Sequence, residues 1–193
     1  MKRSSPLFLL LVGLLLANCT AGNVYVPPTL TPLGGAPTAV PAVVPSGQKV
    51  AVIETVRGPI YCTLRPDVAP QTVANFEKLA NEGFYDGKLF FRVEPGFVIQ
   101  GGSTDNTASG DIGYKVPAEI NLPHTAGALA TARVGDQDNP ERASSGSQFY
   151  ITLAPQPGLD GAYTVFGDCG TSLDVVQKIQ VGDAMQRVRV QGP

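Results

Sequence analysis

A mainly β fold is predicted, an antiparallel barrel that is closed or nearly closed, with two helices available to plug its ends. Two observations carry this expectation. From residue 49 onward, short runs of β-branched and aromatic residues recur between clusters of Gly, Pro, Asn and Asp, and only two stretches place apolar residues at helical spacing. No repeat at a fixed period is present, so solenoid and propeller architectures are set aside.

Taken in order, KVAVIETVRGPIYCTLRP (residues 49–66) carries strand-forming residues on both sides of Arg57-Gly58-Pro59 and reads as a hairpin. APQTVANFEKLANEG (residues 69–83) spaces Val73, Phe76, Leu79 and Ala80 along one helical face, with Thr72 as the expected cap and Gly83 as the stop. Strand-like runs follow at 88–93, 97–100, 128–132, 148–153 and 163–166. TSLDVVQKIQ (171–180) reads as a second helix, and 185–190 as a closing strand. The stretch 101–123 is expected to be ordered surface loop.

The N-terminal third is different in kind. MKRSSPLFLLLVGLLLANC begins with Lys2 and Arg3, continues with an apolar run from Leu7 to Leu16 and ends in small residues, the layout of a secretory signal. The run is about half of the ~20 residues that span a bilayer as a helix, which argues against a permanent transmembrane anchor. Leu16-Ala17-Asn18-Cys19 resembles the lipobox of bacterial lipoproteins, with Asn18 where Gly, Ala or Ser is usual. The expectation is a signal over 1–18 and lipidation at Cys19, with ordinary secretion as the competing reading. Residues 20–48 are dense in Pro, Thr, Ala and Gly and nearly free of charge, so 19–48 reads as a lipidated N-terminus and tether ahead of one domain at 49–193. An extracytoplasmic, membrane-anchored location follows from that reading.

The chain has 193 residues, of which 43% are hydrophobic and 16% charged, which suits one domain plus appendages. Its formal net charge of -2 and scattered cations give no footprint for nucleic acid. If Cys19 is lipidated, Cys62 and Cys169 remain as an even pair in an oxidising compartment. A disulfide and two buried thiols are both open, and the spacing matches no metal site.

His124 is the only histidine, so a multi-histidine metal site is ruled out. In a loop beside Thr125 it reads as a hydrogen-bonded structural residue. GGSTDNTASGDIG lacks the lysine of a phosphate-binding P-loop, and Ser144, Ser145 and Ser147 have no evident base. What remains is a constellation without a nucleophile: Arg92, Phe97, Gln100, Gln148, Phe149 and Tyr150. Arg92 lies within FFRVEPGFVIQGG, an aromatic run expected to be half buried, where a guanidinium needs a partner or a task.

These blocks resemble the cyclophilin-type peptidyl-prolyl cis-trans isomerases. The resemblance rests on FFRVEPGFVIQGG (90–102), HTAGALATAR (124–133), SGSQFYI (145–151) and LDGAYTVFG (159–167), in the family's order, and runs from about residue 49 to 190. It implies an eight-stranded antiparallel barrel capped by two α-helices, with a substrate groove on its outer surface and proline-containing polypeptides as partners, acting as a monomer with no cofactor or metal. By resemblance Arg92 would aim at the prolyl nitrogen, Gln100 would bond the substrate backbone, and Phe97, Val98, Tyr150 and Leu159 would wall the proline socket. Ala132, Arg133 and Gln148 would line the groove for the preceding residues, with Tyr163 at its rim. Read without the resemblance, Phe97, Val98 and Leu159 would be barrel core. Phe97 and Gln100 differ in parity, so their convergence requires a bend, for which Gly101-Gly102 is the candidate.

Three positions depart from the family's pattern. Gly158 stands where many eukaryotic members carry a tryptophan that contacts cyclosporin, which implies weak or absent sensitivity. Tyr150 replaces a phenylalanine and adds a hydroxyl that needs a partner, and Tyr163 replaces a histidine. The expected function is prolyl isomerisation during folding of exported proteins; the alternative is a non-catalytic or chaperone-like module that grips proline segments.

Overall fold

The computed structural model describes residues 47–193; the expected signal segment, Cys19 and the linker up to residue 46 lie outside the described residues. Strands β1 (Val50–Thr55) and β2 (Gly58–Leu64) form the opening hairpin. Its turn is Val56-Arg57 rather than Arg57-Gly58-Pro59. Thr55 Oγ1 accepts the Arg57 N–H at 3.0 Å and donates to the Gly58 carbonyl at 2.7 Å, so Gly58 and Pro59 already belong to β2.

Helix α1 (Pro70–Asn81) buries Val73, Phe76, Leu79 and Ala80, the face expected from their spacing. Thr72 is not its cap. Ala69 holds that position, and Pro70 opens the helix where its missing N–H costs nothing. The exposed donors of Gln71 and Thr72 are accepted by the two carboxylate oxygens of Glu119, at 3.0 and 2.9 Å, from the long loop. Gly83 ends the helix with a φ of 80°, and its N–H reaches the Ala80 carbonyl.

The remaining strands are β3 (Arg92–Glu94), β4 (Val98–Gly101), β5 (Lys115–Val116), β6 (Ala128–Thr131), β7 (Ser144–Ser145), β8 (Phe149–Thr152), β9 (Val165–Asp168) and β10 (Met185–Gln191). Eight of these ten strands form one antiparallel sheet in the order β10-β1-β2-β9-β6-β8-β4-β3, and β5 pairs with β7 separately, inside what reads from sequence as loop. The two edges of the large sheet approach each other ahead of β3 and β10. There Leu89 bridges Ala184, and backbone bonds join Phe90 to Asp183 and Lys88 to Met185. The run at 88–93 therefore divides into this closing bridge and the short β3.

The second helix is shorter than its 171–180 pattern. A 3-10 turn (Gly170–Ser172) leads into the single turn of α2 (Leu173–Val176). Beyond it the bonds tighten to Lys178 N–H on the Val175 carbonyl and Ile179 N–H on the Val176 carbonyl. The Gln180 N–H is then captured by the Asp183 carboxylate at 2.9 Å, so a side chain replaces the helical acceptor.

Inside the sheet, Ile53, Ile60, Ile99, Leu129, Ile151, Phe166 and Met185 join Val73 and Phe76 of α1 and Val176 of α2 in one buried cluster. Phe76 touches Tyr85, Phe149 and Phe166 at ring separations of 5.2, 5.5 and 5.2 Å. Cys62 and Cys169 lie one register step beyond the Thr63↔Asp168 pair of β2 and β9, with Cα atoms 4.0 Å apart and the sulfurs bonded.

The bond closes a loop of 107 residues, which constrains the unfolded chain by about 3–5 kcal/mol. Alkylation under non-reducing conditions should leave both thiols unmodified, and Cys169→Ser should lower unfolding free energy by a comparable amount in urea titration; free thiols in oxidised protein would contradict the pairing. Acid sensitivity follows from two ion pairs. Hydrogen bonds from Arg189 hold the Asp86 carboxyl below its ordinary range, and those from Arg57 do the same for Asp183. A carboxylate with a lowered native pKa contributes stability above its ordinary value of ~4, and that contribution is lost as pH falls through the native value. The melting temperature should decline as pH drops below about 4, and Asp183→Asn should flatten the decline; an unchanged pH profile in that variant would show that the pair does not carry it.

Candidate active site

Strands β4, β6 and β8 are buried on both faces. Alternation sends Ile99, Leu129, Phe149 and Ile151 inward. Their neighbours Val98, Ala128, Ala130 and Tyr150, with Val165 of β9, form a second apolar cluster on the outer face, covered by Phe97, Leu122, Ala132, Leu159 and Tyr163. Val98 and Tyr150 of this cluster, with Phe97, Ala132, Leu159 and Tyr163, line a groove of about 580 Å³. Val98 thus belongs to the groove floor and not to the inner core.

The sheet register assembles the row of outward side chains. Arg92 of β3 lies opposite Gln100 of β4, Gln100 opposite Tyr150 of β8, and Tyr150 opposite Ala130 of β6. Directly opposed residues share a face, so this row runs from a cation through an amide to an apolar wall. Arg92, Phe97, Val98, Gln100, Ala132, Arg133, Gln148, Tyr150, Leu159 and Tyr163 all border the same groove.

Phe97 reaches it by a different route from the expected one. It precedes β4, in a turn where its N–H donates to the Glu94 carbonyl at 3.0 Å, so strand parity does not apply to it. Val98 and Gln100, two apart, share the outer face. Gly101-Gly102 serves packing instead: Gly102 has a φ of 82°, and a side chain there would collide with the Ser147 carbonyl.

Arg92 is also less buried than its aromatic setting suggests. Its side chain is 41% exposed and pairs with Glu94, Nε donating to Oε1 at 2.7 Å and Nη2 lying 2.7 Å from the same oxygen. Nη1 donates to Gln100 Oε1 at 3.0 Å, and the guanidinium sits 5.6 Å from the Phe97 ring centre. Of the five N–H donors of an arginine, these contacts leave one on each terminal nitrogen. Gln100 passes the chain on: its Nε2 donates to Gln148 Oε1 at 2.9 Å, and Gln148 Nε2 donates to the carbonyls of Ala108 and Gly110 at 3.1 and 2.7 Å. Both glutamines are buried and joined by this bond, which with their other partners fixes their orientation.

At the apolar end, Tyr150 is 5% exposed and its hydroxyl lies 2.9 Å from His124 Nε2. Burial pushes the hydroxyl pKa upward, so it stays a neutral donor. His124 Nδ1 lies 2.9 Å from Asp160 Oδ1. Hydrogen bonds from the His124 backbone N–H, and then from its ring, hold the Asp160 carboxyl below its usual range. Arg133 stacks on Tyr163 at 4.6 Å, donates to the Ala162 carbonyl at 2.6 Å and pairs with Asp136 at 2.6 Å. Gly158, in the 3-10 turn Pro157–Leu159, has open space where a side chain would project.

Sequence patterns did not reveal Glu94 as the partner of Arg92 or Asp160 as that of His124. Nor did they reveal that Ser109, Gly110, Asp111 and Lys115 of the long loop form a groove wall; the length of 101–123 inside a compact domain was the available signal. Among the described residues no group of three or more His, Cys, Asp and Glu is placed to hold a metal ion. The arrangement offers shape, apolar surface and, in Arg92, an oriented cation with unpaired N–H groups.

A family model described as cyclophilin type peptidyl-prolyl cis-trans isomerase/CLD matches residues 50–192. Peptidyl-prolyl cis-trans isomerase B of Bacillus subtilis (strain 168) is 50% identical over 132 residues, 67% of this chain and 88% of the relative. Peptidyl-prolyl cis-trans isomerase of Synechococcus elongatus is 46% identical over 143 residues, 72% of this chain and 94% of the relative. Among solved structures, a cyclophilin type peptidyl-prolyl cis-trans isomerase from Cryptosporidium parvum aligns with a TM-score of 0.67 at 24% identity, covering 76% of this chain and 99% of that one; a second structure of that protein, determined in the presence of the dipeptide Ala-Pro, aligns with a TM-score of 0.66. With the half-buried arginine beside an apolar groove, and a family model matching residues 50–192, the chain belongs to the cyclophilin-type peptidyl-prolyl cis-trans isomerases.

Proposed function

We propose that this chain accelerates cis–trans isomerisation of Xaa-Pro bonds in exported proteins, and that Arg92 supplies the chemistry. The observation that carries this reading is the unspent N–H on each Nη of Arg92, beside a groove whose apolar floor suits a prolyl ring. The peptide bond resists rotation by about 18–20 kcal/mol because the nitrogen lone pair is delocalised into the carbonyl. Twisting localises that pair on nitrogen and makes it a better acceptor. A fixed, permanently protonated donor therefore binds the twisted form more strongly than the planar one, which lowers the barrier without a covalent step.

In this reading Phe97, Val98, Tyr150 and Leu159 hold the prolyl ring. Gln100 bonds the substrate backbone, Ala132, Arg133 and Gln148 line the path of the preceding residues, and Tyr163 closes the rim. Glu94 and Gln100 orient the guanidinium between them. The proposed setting is extracytoplasmic, with the domain tethered through a lipid on Cys19. The lipobox-like LANC and the proline-rich linker support it. The protein is proposed to act as a monomer: among the described residues the exposed large apolar side chains are only Val56, Tyr114, Val134 and Val181.

NMR exchange spectroscopy on an Ala-Pro-Phe peptide tests the activity. Wild type should accelerate exchange, and Arg92→Ala should lower kcat/KM by roughly 10²–10³-fold, the effect of deleting one preorganised donor; a peptide that binds both proteins equally without exchange in either would identify a proline-gripping module instead. Labelled palmitate should enter the wild-type chain in an export-competent bacterium and not Cys19→Ser. Recovery of unlabelled protein in the soluble fraction would favour ordinary secretion.

A further inference from the structure

Two walls of the groove arrive from separate segments and meet on one histidine. Tyr150 comes from β8, whereas Leu159 ends the 3-10 turn that immediately precedes Asp160. The His124 backbone N–H donates to Asp160 Oδ1 at 2.8 Å, its carbonyl accepts the Gln156 N–H at 2.8 Å, and its ring joins the same Asp160 oxygen to the Tyr150 hydroxyl. The imidazole is fully enclosed, whereas Asp160 is 38% exposed.

A carboxylate only accepts hydrogen bonds, so Nδ1 carries the proton facing Asp160. In the neutral ring Nε2 then presents its lone pair, and the Tyr150 hydroxyl is the donor. The direction of every bond is therefore set by the carboxylate, and the hydroxyl proton is committed to His124 and withheld from the groove. Aromatic contacts hold the same ring: His124 and Tyr150 lie parallel at 6.0 Å, and Tyr163 meets both edge-on. The other charged groups around this cluster, Arg133 and Asp136, are engaged with each other and with Tyr163.

We infer that Asp160 and His124 are positioning residues that brace Tyr150 against Leu159, and so determine how tightly the groove holds a prolyl ring. The inference deepens the isomerase reading and rests on it for its kinetic consequences. A ring held by the walls is held in both planar and twisted states, so the brace governs KM while Arg92 governs kcat.

The test uses the full chain without a histidine tag, whose single imidazole makes long-range ¹H–¹⁵N spectra unambiguous. A Nδ1–H ring with unprotonated Nε2 is expected, and a Nε2–H ring overturns the proposal without any variant. Kinetically, Asp160→Ala and His124→Asn should each raise KM for the Ala-Pro-Phe peptide roughly five- to tenfold, with kcat within about twofold. Asp160→Asn, whose amide oxygen still accepts both N–H groups, should retain the wild-type KM. In a Tyr150→Phe background, which removes the hydroxyl, His124→Asn should add less than about twofold. Lowered kcat at constant KM, or additive effects in the double variant, would sink the brace. If the wild type fails to accelerate exchange, the isomerase reading falls; the brace is then judged by peptide Kd from chemical-shift titration, where the same pattern upholds it and equal affinities overturn it.

Discussion

The register of β3, β4, β8 and β6 is the constraint on which the groove depends. It places Arg92, Gln100, Tyr150 and Ala130 in one transverse row on the outer face. A slip of one residue in β4 would exchange Gln100 for Ile99, putting an amide into the apolar core and a branched alkyl group beside the guanidinium. The register is pinned from both sides. Ile99 and Ile151 must remain among the inner residues, and the amides of Gln100 and Gln148 are satisfied by each other, by the Arg92 guanidinium and by the Ala108 and Gly110 carbonyls. Each requirement would be costly to violate, the first through lost burial and the second through unpaired polar groups.

Because these strands are buried on both faces, the protein carries two apolar clusters of different purpose. The inner one closes the sheet on α1. The outer one lacks a covering helix over the groove, so the residues packed on it stay partly exposed. Polar groups rim it in a graded manner, with Arg92, Gln100 and Gln148 at one end and the enclosed His124–Tyr150 pair under the other.

Much of this was legible in the sequence, for identifiable reasons. The apolar face of α1, the alternation in β1 and β2, and the short strand-forming runs of β4 and β8 are local patterns, and local patterns survive into the fold. The order of four motif blocks located the groove. What failed involved partners distant in the chain. Thr72 was a reasonable cap on local grounds, but Glu119 supplies the acceptors from 48 and 47 residues away. The second helix ends early because Asp183, itself fixed by Arg57, takes its next N–H. Phe97 and Gln100 converge through a turn at Glu94–Phe97, and no periodicity argument counts residues across a turn.

In the proposed isomerase the positions of the cation and the socket imply a division of labour. Arg92 lies on an edge strand with 41% of its side chain in water and a partner, Glu94, that is 50% exposed. Such a pair contributes little to stability, yet it restricts the guanidinium to an orientation in which two N–H groups stay free. Of the proposed walls, by contrast, Val98 and Tyr150 are buried and Phe97 and Leu159 half-buried, and an apolar socket distinguishes a prolyl ring only if its dimensions hold. A twisting imide moves its nitrogen relative to a ring that stays seated. In the proposed reaction the rigid part of the groove therefore belongs under the ring, and the oriented donor belongs at the edge, where Glu94 and Gln100 hold it without disturbing the packing.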